Sequence, residues 1–134
     1  TQWSSSAASD VYKRQIRFPA LYRDLAKAGA GIIFIPSAFT EVTGEAHWHV
    51  LQRARAIENG CFIVSAAQTG IHEQKRKTFG HSIIIDPWGN VLADADKCVG
   101  FIIADLDLNL VNEARNKIPS LSHDRNYSKS FRAF

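Results

Sequence analysis

Three short runs in this chain are apolar at every position: Ile32-Ile33-Phe34-Ile35, Cys61-Phe62-Ile63-Val64 and Ile83-Ile84-Ile85. A half-solvated strand alternates apolar and polar residues, so a strand apolar throughout has to be covered on both faces. The chain must therefore lay helices on one side of a sheet and find a second cover for the other. Its 134 residues are enough for a core, since a domain of this size buries roughly two-thirds of its unfolded surface. Two cysteines, Cys61 and Cys98, are too few for a disulfide scaffold and lack CxxC metal spacing. No run reaches the roughly 18 apolar residues of a membrane span. A net charge of +3 tolerates an anionic small substrate and falls short of a nucleic-acid footprint. The expectation is a cytoplasmic, reduced protein that binds neither nucleic acid nor membrane.

Helices are predicted between these strands. Phe18, Leu21, Tyr22, Leu25 and Ala26 recur at helical spacing, with Pro19 suited to the first turn and Gly29 to the stop. A second helix is expected after a Thr43 cap, with Trp48, Leu51 and Ile57 along it and Asn59-Gly60 at its end. Gln68 to Lys77 reads as a polar loop, its Lys75-Arg76-Lys77 run a solvated patch. Asp86-Pro87-Trp88-Gly89 carries type I turn residues, so Ser82–Ile85 and Val91–Ala93 read as a hairpin with Trp88 as a packing residue. Phe101–Ala104 is predicted as a further strand, followed by an amphipathic helix near Leu108–Lys117 that stops at Pro119. Residues 1–15 have no periodicity, and the chain begins at Thr1 and contains no Met. They are expected to be a non-native junction segment preceding a domain over 16–134.

Several motifs then fall in one order: Arg17-Phe18-Pro19, Pro36-Ser37-Ala38-Phe39-Thr40, Thr43-Gly44, His47-Trp48, Arg53-Ala54-Arg55-Ala56-Ile57-Glu58-Asn59, Ala66-Ala67-Gln68, Gly80-His81-Ser82 and Asp86-Pro87-Trp88-Gly89. In this order they resemble the C-terminal half of a carbon–nitrogen hydrolase of the nitrilase superfamily, in the branch that contains deaminated glutathione amidase and ω-amidase. The resemblance implies an α+β fold, an α-β-β-α sandwich that is incomplete here. It also implies a homo-oligomer when full-length, a small-molecule ω-amide substrate, no cofactor, and a Glu, Lys and Cys triad. In that chemistry a thiolate attacks the amide carbonyl, a carboxylate moves the proton, and a lysine with a backbone N–H steadies the oxyanion.

The same resemblance exposes a departure. The family's nucleophile stands in Cys-Tyr-Asp-x-Arg-Phe-Pro, and aligning Arg17-Phe18-Pro19 puts Lys13 in the cysteine slot, Arg14 in the tyrosine slot and Gln15 in the aspartate slot. The family's Glu and Lys lie upstream of that cysteine. No catalytic residue is therefore expected in the chain, and inactivity is the prediction; the alternative is a non-catalytic structural or interaction module that kept the fold. Cys61, opening an apolar strand, is a poor substitute nucleophile. What remains is the pocket wall, for which Ser37, Ala38, Phe39 and Thr40 are the candidate substrate-binding residues, ahead of Thr43 and Gln68. No metal site is expected: His47 and His49 do not share a helix face as an i, i+4 pair would, and His72, His81 and His123 show no ligand spacing. Arg55 and Glu58, at i and i+3, permit an internal ion pair.

Overall fold

A computed structural model describes residues 15–72 and 77–125. After a 3-10 turn at Gln15–Arg17, helix α1 spans Pro19–Lys27 with Pro19 in its first turn and buries Tyr22 and Ala26, four residues apart on one face. Gly29, at φ +103, makes the left-handed exit that a side-chain-bearing residue resists. Strand β1, Ile32–Phe34, follows. Helix α2, Glu41–Asn59, ends on Gly60 in the left-handed region, whose N–H bonds the Ala56 carbonyl. It buries Gly44, Trp48, Gln52, Arg55, Ala56 and Asn59, a single stripe at spacings of three and four. Gly44 is needed there because a Cβ would overlap the Cβ and Cγ of Phe79.

The stripe lies on a four-stranded sheet of order β1-β2-β5-β6, with β2 at Phe62–Ser65, β5 at Ile83–Ile85 and β6 at Val91–Asp94. β1 and β2 are parallel across the α2 crossover, and the other two pairings are antiparallel. The register puts Ile33 opposite Ile63 and Ile63 opposite Ile85, so one face carries Ile33, Ile63, Ile83 and Ile85, all buried in the core cluster with Tyr22 and Trp48. Ser65 shares that face and donates from Oγ to Gln52 Oε1 at 2.8 Å. The hairpin turn forms as expected: Gly89 N–H bonds the Asp86 carbonyl, and the Asp86 carboxylate accepts from the Trp88 and Asn90 amides.

The opposite face is covered unevenly. Phe62 and Ile84 are buried, whereas Phe34 is 71% exposed. Helix α3, Asn109–Lys117, brings Val111 against Gly31, and Arg115 donates to the Ala30 carbonyl at 2.7 Å. Single-sheet cover from helices thus accounts for one α-β half of a sandwich and leaves apolar side chains such as Phe101 and Ile103 in solvent.

Three expectations are corrected. The second helix starts at Glu41 with Thr40 as its N-cap residue; Thr43 lies in the first turn, its Oγ1 2.7 Å from that of Thr40. The segment taken as loop contains strands β3, Thr69–Ile71, and β4, Lys77–Phe79, an antiparallel pair whose Phe79 packs against Gly44 of α2. Phe101–Ala104 is not a strand: its exposure alternates as a strand's would, but it pairs with no strand among the described residues. Lys13 and Arg14, expected in the nucleophile and tyrosine slots, and Lys75-Arg76 lie outside the described residues.

Candidate functional site

The chain leaving β1 does not turn away from the sheet at Pro36. Ser37 continues it in a parallel bridge with Ala67: its N–H bonds the Ala66 carbonyl at 2.9 Å and its carbonyl accepts from Gln68 N–H at 3.0 Å. Two residues on, Phe39 accepts from the Phe79 amide at 3.0 Å, and Thr40 forms an antiparallel bridge with Thr78. The four candidate pocket residues are thereby laid along one edge, with Ser37 and Phe39 buried, Ala38 half-buried and Thr40 exposed. Phe39 is locked edge-on against Trp48 at 5.0 Å between ring centroids. Thr43 and Gln68 come into the same neighbourhood through Thr40 Oγ1 and the Ser37 carbonyl.

The Arg17-Phe18-Pro19 motif arrives at this edge. Arg17 sets its guanidinium 5.3 Å from the centroid of the Phe39 ring and bonds His47 Nδ1 at 3.2 Å. One residue earlier, the buried Arg55 of α2 grips the Ile16 carbonyl with Nε at 3.0 Å and Nη2 at 2.7 Å, and its Nη1 donates to Glu58 Oε1 at 2.8 Å. The internal Arg55–Glu58 pair expected from spacing is present and serves to aim the guanidinium. The same guanidinium lies 5.4 Å from the Tyr22 ring; burial pushes the Tyr22 hydroxyl up to about 12 and the Arg55 charge works against that rise. At the start of α2, Glu41 is held below the ordinary carboxylate range by its hydrogen bond from Lys97, at 3.0 Å, and by the charges of Lys97 and Lys77.

Neither cysteine sits in this arrangement. Cys61 is fully buried, and desolvation pushes its thiol up to about 11, with the Arg115 charge opposing. A thiol so raised stays protonated at pH 8, so it is a poor nucleophile. Cys98 is exposed. Iodoacetamide at pH 8 is therefore expected to add one carbamidomethyl group to the native chain, on Cys98, and a second only after unfolding. Intact-mass and peptide mapping would read this; rapid native modification of Cys61 would contradict its burial.

One cluster escaped the reading of the sequence. His49, His81 and Asp94 converge from α2, from the residue before Ser82 and from the end of β6. Asp94 Oδ2 lies 2.7 Å from His49 Nε2, and Oδ1 lies 2.9 Å from His81 Nδ1. Burial raises the Asp94 carboxyl, but hydrogen bonds from His49, the Asp96 amide and His81 outweigh it and hold the group below its ordinary value. Spacing along the chain gave no sign of this; only the hairpin register, which pairs Ile83 with Asp94, could have placed Asp94 beside His81. Of the remaining histidines, His47 bonds Arg17 and His72 bonds Thr78 Oγ1, and His123 lies apart in the C-terminal 3-10 turn region. A groove of about 230 Å³ lies elsewhere, between the Asp86–Asn90 turn and α3, lined by Trp88 and Lys117 among others, and none of residues 37–40 lines it. Trp88 is half exposed there and not the packed residue expected of the turn.

The family described as carbon-nitrogen hydrolase matches residues 13–116. The deaminated glutathione amidase of Synechocystis sp. (strain PCC 6803 / GT-S) is 50% identical over 108 residues, covering 81% of this chain and 40% of that protein. The Homo sapiens deaminated glutathione amidase is 49% identical over 110 residues, covering 82% of this chain and 34% of that protein. Among solved structures, the C. elegans NitFhit protein superposes with a TM-score of 0.80 at 49% identity, over 83% of this chain and 27% of that one. Saccharomyces cerevisiae Nit3, a member of branch 10 of the nitrilase superfamily, gives a TM-score of 0.75 at 34% identity, over 80% and 40%. The chain thus spans 40% or less of the length of these relatives.

Proposed function

Since this chain belongs to the carbon-nitrogen hydrolase family, we propose that residues 16–134 are the C-terminal part of an amidase domain acting on a small ω-amide. Deaminated glutathione or α-ketoglutaramate represents the substrate class, and the reaction passes through a cysteine thioester. In that reaction the thiolate adds to the amide carbonyl, ammonia leaves with a proton, and water cleaves the resulting thioester to the carboxylic acid. Ser37, Ala38, Phe39 and Thr40 form one wall of the acyl pocket. Arg17 steadies that wall through Phe39. Arg55 fixes the backbone at Ile16, three residues beyond the nucleophile slot. Lys13 stands in that slot, so the 134-residue chain by itself does not turn over. The whole enzyme is read as a cytoplasmic homodimer; among the described residues no helix is long and apolar enough to cross a membrane.

The observation that carries the reading is the seating of Arg17 on Phe39: the segment running out of the nucleophile slot packs on the proposed pocket wall. Two experiments test it. The chain as it stands, given deaminated glutathione or α-ketoglutaramate, is expected to release no ammonia above a buffer control. Turnover abolished by a thiol alkylating agent would reassign the chemistry to Cys61 or Cys98. Second, residues 16–125 can replace the matching stretch of the Synechocystis deaminated glutathione amidase. The chimera is expected to retain ammonia release, with Phe39→Ala raising KM at least tenfold. A folded but inactive chimera would favour the non-catalytic module.

A further inference from the structure

We propose that His49, His81 and Asp94 form a binding site for one divalent transition-metal ion of the zinc class, tying α2 to the β5–β6 hairpin. One ring nitrogen from each histidine and one carboxylate oxygen lie within 4.8 Å of one another. The three residues come from separate elements, at positions 49, 81 and 94, so their meeting is a product of the tertiary fold. Two imidazoles and a carboxylate are the donors that zinc, cobalt and nickel accept, whereas magnesium and calcium call for oxygen alone. Three protein ligands leave the fourth tetrahedral position to water.

The cluster is held in place by the structure around it. The His81 ring stacks on Phe79 with centroids 4.3 Å apart, and His49 meets His81 edge-on at 4.9 Å. The His81 backbone is pinned at both ends: its carbonyl accepts from Trp48 Nε1 at 2.8 Å and its N–H bonds the Asp96 carbonyl at 2.6 Å. Its φ of +59 lies in the left-handed region, which a residue bearing a Cβ enters only when its surroundings require it. Side-chain exposure rises from 15% at His81 through 22% at Asp94 to 36% at His49, so the site is lined from within and open on the His49 side. Ligand atoms around a tetrahedral zinc at about 2.0–2.1 Å stand roughly 3.3 Å apart. With Asp94 Oδ2 as the single carboxylate donor, His81 Nδ1 at 3.2 Å already stands near that separation, and His49 Nε2 at 2.7 Å needs to open by about half an ångström, which the outward-facing His49 side chain can supply.

The test uses the tag-free 134-residue chain stripped with a chelator, and zinc and cobalt chlorides as probes. Saturable 1:1 zinc uptake is expected in competition with a chromophoric chelator, with the intense visible absorption of four-coordinate cobalt and a rise in Tm on adding zinc. His49→Gln, on the open side of a helix, and the isosteric Asp94→Asn are each expected to weaken zinc at least tenfold and to abolish the Tm rise. Cys98→Ser and His123→Gln leave both unchanged. Helical circular dichroism establishes that each variant is folded, and two variants with different structural demands guard against a folding artefact. Absence of saturable uptake, or uptake unaffected by both His49→Gln and Asp94→Asn, overturns the site and leaves the cluster as a hydrogen-bonded His–Asp–His network.

Discussion

Trp48→Ala is expected to leave the chain largely unfolded at room temperature. Trp48 is fully buried at the centre of α2, edge-on to Phe39, with its indole N–H donating 2.8 Å to the His81 carbonyl. Emptying a buried Trp site costs about 3–5 kcal/mol, and the orphaned carbonyl adds about 1–3 kcal/mol. A typical domain has about 5–15 kcal/mol in total. This chain belongs at the lower end, because Phe34, Phe101 and Ile103 remain in solvent and contribute little burial. Trp48→Phe separates the two losses: it keeps most of the apolar volume, loses only the donor, and is expected to cost about 1–3 kcal/mol. Urea titrations followed by circular dichroism measure both. An unchanged midpoint for Trp48→Ala would mean that α2 is not what holds this face of the sheet.

The central role of Trp48 was only partly legible. Its place on a helix followed from periodicity, and the stop at Asn59-Gly60 followed from the conformational freedom of Gly60, which here sits at φ +55. The hairpin was legible for a similar reason: Asp86, Pro87 and Gly89 each suit one turn position, and the Asp86 carboxylate caps two amides within it. Such features are local, decided by residues a few positions apart. β3 and β4 are not local. Thr69–Ile71 and Lys77–Phe79 carry polar or exposed side chains at most positions, and what makes them strands is Phe79 filling the space left by Gly44 on α2. Phe101–Ala104 shows the converse: strand-like residues without a ladder partner among the described residues form no strand.

The candidate site divides along the same line. Ser37–Thr40 was marked by family resemblance and by its place after a buried strand, and both kinds of information concern order along the chain. That the segment runs on past Pro36 to bridge Ala67 and then Thr78 depends on where β2 and β4 lie, which composition and periodicity do not encode. The convergence of His49, His81 and Asp94 is less legible still. His49 and His81 are 32 residues apart and meet only because α2 crosses the sheet beside the hairpin, so ligand spacing along the chain is the wrong test for them. Arg55 occupies the middle ground: its ion pair with Glu58 was written in the i, i+3 spacing, its hold on Ile16 was not.

That hold leads to the second large effect. Arg55→Met is expected to destabilise the chain by about 2–4 kcal/mol, between the cost of losing a hydrogen bond to a charged group and that of breaking a buried ion pair. Met replaces much of the apolar stem, so cavity formation is a minor part. The main loss is at the Ile16 carbonyl, which receives both Nε and Nη2 and sits beneath a residue that is 1% exposed. Glu58, with its side chain 37% exposed, can turn to water, so Glu58→Gln should cost well under 1 kcal/mol. Arg55→Lys should recover only part of the loss, because one ammonium cannot present two parallel N–H groups to a single carbonyl. The damage is expected to be local before it is global. Amide exchange at Phe18, whose N–H bonds the Gln15 carbonyl in the turn that Arg55 pins, should accelerate at least tenfold in Arg55→Met and scarcely in Glu58→Gln. Equal exchange at Phe18 in the two variants would show that the turn at Gln15–Arg17 leading into α1 is held by Arg17 on Phe39 and not by the buried guanidinium.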